Sequence, residues 1–144
     1  MSRSFTLRKP QTPADWAMAV FGVMALLLGA VGLISPEAVL RLLSLPAPSP
    51  TQRASVDLTR AFLTASSMAS FNMGVYYLLA VGARFVPFYR WTVPFRMLTF
   101  LVFTLAVWRG VMPPAFFGVA VWELLGALVV AWTLRYEPET RTSG

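Results

Sequence analysis

From Trp16 to Ile34 the chain carries no charged residue. That run approaches the ~20 apolar residues a helix needs to cross a bilayer. Three further long apolar segments follow it. A helix in water needs a polar face, and these segments have almost none. Hydrophobic residues make up 57% of the 144 and charged residues 12%. Soluble domains carry about twice that charged share. The expected fold class is therefore all-α: an integral membrane four-helix bundle, with a short interfacial amphipathic helix between helices one and two.

The same pattern divides the chain into a basic tail over 1–13, a four-helix membrane domain over 14–134, and a polar tail over 135–144. The first helix is expected over about 14–34, with Asp15 near its start, where exposed N–H groups favour a carboxylate. Gly22, Ala25, Gly29 and Gly32 recur at three- and four-residue steps, a spacing that allows close helix contact. Ser35, Pro36 and Glu37 form a restart signal for the short surface helix, expected over Ala38 to Leu45. Pro46, Pro48 and Pro50 then call for an extended connection.

The second long helix is expected from near Asp57, read as a cap, to Gly82. It is the most polar of the four. Its ridges Ala61, Ala65, Ala69 and Ser66, Ser70, Gly74 argue for a central, buried position. Arg84, Tyr89, Arg90 and Trp91 read as an interfacial turn. Pro94 is expected to open helix three, which ends near Trp108. The fourth helix is expected over Pro114 to Leu134.

The chain has no cysteine and no histidine. That removes thiol nucleophiles, disulfides and the usual ligands of haem, zinc and copper. No metal site and no cofactor is expected. Twelve basic residues against six acidic leave a charge of +6. Most of the arginines stand at the ends of apolar runs, where they reach lipid headgroups. No nucleic-acid motif competes with that reading. Membrane lipids are the expected partners, together with other membrane subunits or further copies of the chain. Seven basic residues fall on the side of the two termini against three on the other, which places both termini in the cytoplasm.

Glu123 is the only charge of the fourth helix. It lies nine residues beyond Pro114, about 13 Å along the axis. An ionised carboxylate facing lipid at that depth costs about 2.5–3.5 kcal/mol. It must face the interior and either pair or take up a proton. Arg60 and Arg109 enter from the same side as helix four, and Arg60 is the first choice of partner. Arg96 is expected on the opposite side, about 12 Å away along the membrane normal. Asn72, well inside helix two, needs hydrogen-bond partners. Glu123, Asn72 and Tyr76 are the candidate acid and hydrogen-bonding groups. Arg60, Arg96 and Arg109 are the candidate pairing or substrate-contacting groups.

Three short segments carry a likeness. They are the exit Leu33, Ile34, Ser35, Pro36, Glu37; the run Asn72, Met73, Gly74, Val75, Tyr76, Tyr77; and the step Trp122, Glu123, Leu124. Over 14–134 the chain resembles small bacterial four-helix membrane proteins, the DoxX-like group and related families of unknown function. The resemblance implies a bacterial cytoplasmic membrane and association with oxidoreductase complexes, and it assigns no catalytic residue.

Three functional classes follow. An accessory or assembly subunit of a membrane complex makes the least demand on the polar groups. An intramembrane enzyme or binding protein for a lipid-like substrate would use Glu123 as an acid or hydrogen-bonding group. Transport of protons or small solutes would need a wet path, and no inverted repeat or discontinuous helix is evident for it.

Overall fold

The structure, a computed structural model, describes residues 8–45 and 58–137. Within them the fold is all-α. The helices are α1 (Pro13–Ile34), α2 (Pro36–Leu42), α3 (Thr59–Gly82), α4 (Val86–Trp108) and α5 (Phe116–Thr133), and a 3-10 turn follows at Leu134–Tyr136. Three of these segments are long and apolar enough to span a membrane: Pro13–Ile34, Val86–Trp108 and Phe116–Tyr136. The chain is a small integral membrane protein. α3 has 24 residues but is not among the three, because its hydroxyl and amide side chains lower its hydropathy. The expected cap at Asp57 and the proline connection lie outside the described residues.

α1 opens on a capping box. The Thr12 hydroxyl accepts from the Asp15 N–H at 3.1 Å, and the Asp15 carboxylate accepts from the Thr12 N–H at 3.2 Å. Those bonds satisfy donors that a helix start otherwise leaves open. Three helices close on a left-handed residue: Ser44 after α2, Arg84 after α3 and Gly110 after α4. At each closure the next N–H reaches back five residues, as Phe85 does to the Ala80 carbonyl at 2.9 Å. This is the geometry of a Schellman closure.

α1 is the element around which the others gather. It packs along the length of α3 and also touches α2, α5 and the 3-10 turn, while α4 packs along α5. The small residues of α1 bring its backbone against α3. A Cβ placed on Gly29 would lie 2.4 Å from the Phe71 nitrogen, and one on Gly74 would lie 2.5 Å from the Leu26 nitrogen. At that approach the Ser70 hydroxyl donates to the Ala25 carbonyl at 2.9 Å.

Two expectations are corrected here. α3 is not the central helix: Ala61, Ala65 and Ala69 are exposed, and of the second ridge only Gly74 is fully buried. Its polar groups need no central position, since Ser66 satisfies its hydroxyl on the Leu63 carbonyl of its own helix at 3.0 Å. The second correction is the start of α4. The helix begins at Val86, not near Pro94, and Tyr89, Arg90 and Trp91 belong to it. Pro87 occupies the first turn, where no N–H is needed. Pro94 lies inside the helix on an exposed face, so the ring displaces no packed neighbour. The α4 extension buries Tyr89 and Thr92 completely or nearly so, at 0% and 7% exposure.

Candidate functional site

α4 turns one face toward α3 and α5. Phe88, Thr92, Phe95, Arg96 and Thr99 fall on it at helical three- and four-residue steps. α3 and α4 meet at few points, and a cleft of about 320 Å³ opens between them. Met73 and Tyr77 of α3 line one wall, the α4 face lines the other, and Arg96 with Glu123 of α5 supplies the charge. The volume is at the lower end of the ~300–1,000 Å³ of small-molecule sites.

Arg96 organises the site. It stands ten residues beyond Val86, about 15 Å along the helix axis. Its NH1 donates to Glu123 Oε2 at 3.1 Å, and its NH2 donates to the Tyr77 hydroxyl at 3.3 Å. The guanidinium carbon lies 4.4 Å from the centre of the Phe21 ring and 5.4 Å from that of Tyr77. Such contacts add about 0.5–2 kcal/mol each. Gly126 makes room for the group, because a Cβ there would stand 2.7 Å from Arg96 NH1. One arginine thus ties α4 to α1, α3 and α5. Its side chain is 7% exposed and that of Glu123 is 23% exposed. The Arg96 Nε is buried with no hydrogen-bond partner among the described residues.

Tyr77 and Phe88 meet edge to face at 5.7 Å, and Phe21 meets Trp122 at 5.5 Å. The first pair joins α3 to α4 within the cleft, and the second packs α1 on α5. The hydroxyls on the α4 wall are already used within their own helix. Thr92 donates to the Tyr89 carbonyl at 2.7 Å and Thr99 to the Phe95 carbonyl at 3.0 Å. The walls are therefore largely apolar and the polar groups gather where Arg96, Tyr77 and Glu123 meet.

The structure brings together only part of the residue set expected from sequence. Glu123 lines the cleft, and its partner is Arg96 rather than Arg60. The expected separation from Arg96 rested on a helix start at Pro94. With α4 starting at Val86, the same residue moves to the level of Glu123. Arg60 is 62% exposed and pairs with Glu37 of α2. Arg109 caps the end of α4 and is exposed. Asn72 is half-buried and does not line the cleft. Tyr76 is 54% exposed and faces outward, while its neighbour Tyr77 is 7% exposed and faces the arginine.

Tyr77, Phe21 and Gly126 were not singled out as site residues from sequence. The spacing of Tyr77 four residues after Met73 is the one available signal, since it places both on one helix face.

A second polar cluster joins the two ends of the described chain. The Asp15 side chain is fully buried and accepts from the Tyr89 hydroxyl at 2.8 Å and from the Gln11 N–H at 3.0 Å. Arg84 lies 3.8 Å from Asp15 and 3.4 Å from Glu137. The Thr12 hydroxyl also bonds Glu137. Asp15 is thus both the carboxylate expected near the start of the first helix and the hub of a tertiary network. No cluster of three or more acidic side chains suited to a metal occurs among the described residues.

A larger groove of about 460 Å³ lies between α1, α2 and the start of α5. Met24, Leu28, Leu42 and Val119 line it, and it is apart from the charged pair. No family model matches the chain, and neither a curated protein nor a solved structure matches it.

Proposed function

We propose that this protein binds a membrane-soluble, lipid-like molecule in the α3–α4 cleft, with the polar end of that molecule against Arg96, Tyr77 and Glu123. The observation that carries the reading is a sheltered ion pair at the edge of an apolar cleft of about 320 Å³. A charged group at membrane depth is costly to keep, and its presence there points to a functional site. In this reading α1, α3, α4 and α5 cross a bacterial cytoplasmic membrane as a four-helix bundle. α2 lies at the surface and both termini are cytoplasmic. The likeness to the DoxX-like group enters as a fold hint on the three short segments that carry it.

A second reading, an accessory subunit, is favoured by one observation. Ala61, Ala65 and Ala69 form an exposed small-residue ridge on α3, the kind of surface on which another membrane helix packs closely.

The test is purification of the full chain in mild detergent, followed by native mass spectrometry. Binding predicts a retained small molecule that is lost on Phe95→Ala combined with Met73→Ala, with the protein still folded. A bare monomer that captures no lipid from any extract would refute the binding reading. Stoichiometric retention of a second polypeptide without lipid would favour the accessory role.

A further inference from the structure

Resting on the cleft-binding reading above, we infer that the head of the bound molecule is an uncharged hydroxyl, as in a long-chain, isoprenoid or sterol alcohol. The charge balance of the site points there. Arg96 and Glu123 cancel each other at 3.1 Å. A carboxylate or phosphate head would stand beside the Glu123 carboxylate, and an ammonium head beside the Arg96 guanidinium. Like charges repel strongly where water is scarce. A charged head would also lose its hydration on entering.

The open hydrogen-bonding positions match an alcohol. Glu123 uses Oε2 for Arg96, and no described residue donates to its Oε1. The Tyr77 oxygen accepts from Arg96 NH2, and its own O–H has no acceptor among the described residues. A hydroxyl donates one proton and accepts through its oxygen. It can donate to Glu123 and accept from Tyr77, which leaves no charge unbalanced. The hydroxyls of Thr92 and Thr99 are turned to their own helix carbonyls. The rest of the cleft therefore suits a hydrocarbon tail.

The test uses the whole protein in mild detergent and four probes with one brominated saturated chain. Their heads are an alcohol, a carboxylate, an amine and a plain methyl group. Trp91 lines the cleft, so a bound brominated chain quenches its fluorescence, and Trp91→Phe identifies its share of the signal. The alcohol is expected to bind about tenfold or more tighter than the other three. In Glu123→Gln the Arg96 charge is left unbalanced, and the preference is expected to pass to the carboxylate. A structural role alone would not exchange the order of the heads. Tightest binding of the carboxylate or the amine by the unaltered protein would overturn the hydroxyl assignment. Equal binding of the methyl probe would overturn head recognition and leave the cleft as a tail site. Absence of Trp91 quenching by every probe would overturn the cleft-binding reading itself.

Discussion

Arg96 of α4 donates to Glu123 of α5 at 3.1 Å, and the two side chains are 7% and 23% exposed. Each charge is sheltered by the other, so neither side chain can be judged alone. Breaking such a pair leaves an uncompensated charge, which costs about 3–5 kcal/mol. Arg96→Met and Glu123→Leu are each expected to destabilise the protein by roughly that amount. Together they are expected to recover most of the loss, because two apolar side chains need no partner. Equilibrium unfolding in mixed micelles reads the cycle. Losses that merely add would show that the two residues are not coupled.

Arg60 provides the contrast. It is 62% exposed and pairs with Glu37 at the surface. An exposed pair of this kind contributes about 0–1 kcal/mol. Arg60→Ala is expected to leave the unfolding midpoint nearly unchanged, in the same assay that penalises Arg96→Met. A larger loss from Arg60 than from Arg96 would reverse the assignment of the structural arginine.

The glycines of α1 and α5 make a second matched pair. Gly29 has no room for a Cβ, whose nearest neighbour would be the α3 backbone at 2.4 Å. Gly29→Ala must push α1 and α3 apart, at about 1–3 kcal/mol or more. Gly118 has nothing within 4 Å of the added Cβ. Gly118→Ala is expected to be neutral or to stabilise by up to about 1 kcal/mol through helix propensity. Thermal unfolding of the two variants side by side checks the order.

The Asp15 cluster is expected to hold the α3–α4 turn. Tyr89→Phe removes one bond to a buried carboxylate, a loss of about 1.5–3 kcal/mol. Asp15→Ala removes the acceptor for Tyr89, Gln11 and Thr12 and leaves Arg84 with Glu137 as its remaining carboxylate in the cluster. Its loss is expected to exceed that of Tyr89→Phe. Amide hydrogen exchange at Arg84 and Phe85 should accelerate in both variants, more so for Asp15→Ala. Unchanged exchange there would show that the network does not brace the turn.

Much of this protein is legible along the chain because the relevant signals are local. Long apolar runs announce α1, α4 and α5, and Arg90, Arg96 and Glu123 are the few charges that interrupt the last two. The restart at Ser35 and Pro36 marks α2. The spacing of Gly22, Gly29 and Gly32 announces a close helix contact, and all three are buried. Each of these features depends only on neighbours within a few turns.

The composition of the site was decided elsewhere. Starting α4 at Val86 instead of Pro94 moves Arg96 by about 12 Å along the axis, enough to exchange one partner of Glu123 for another. A proline reads alike from sequence at a helix start and on an exposed helix face. What chooses between them is the burial of Tyr89 against Asp15, a contact across seventy-four positions of the chain. The hydrophobic run sets that there is a helix; where its charges meet is set by which distant side chains it can bury.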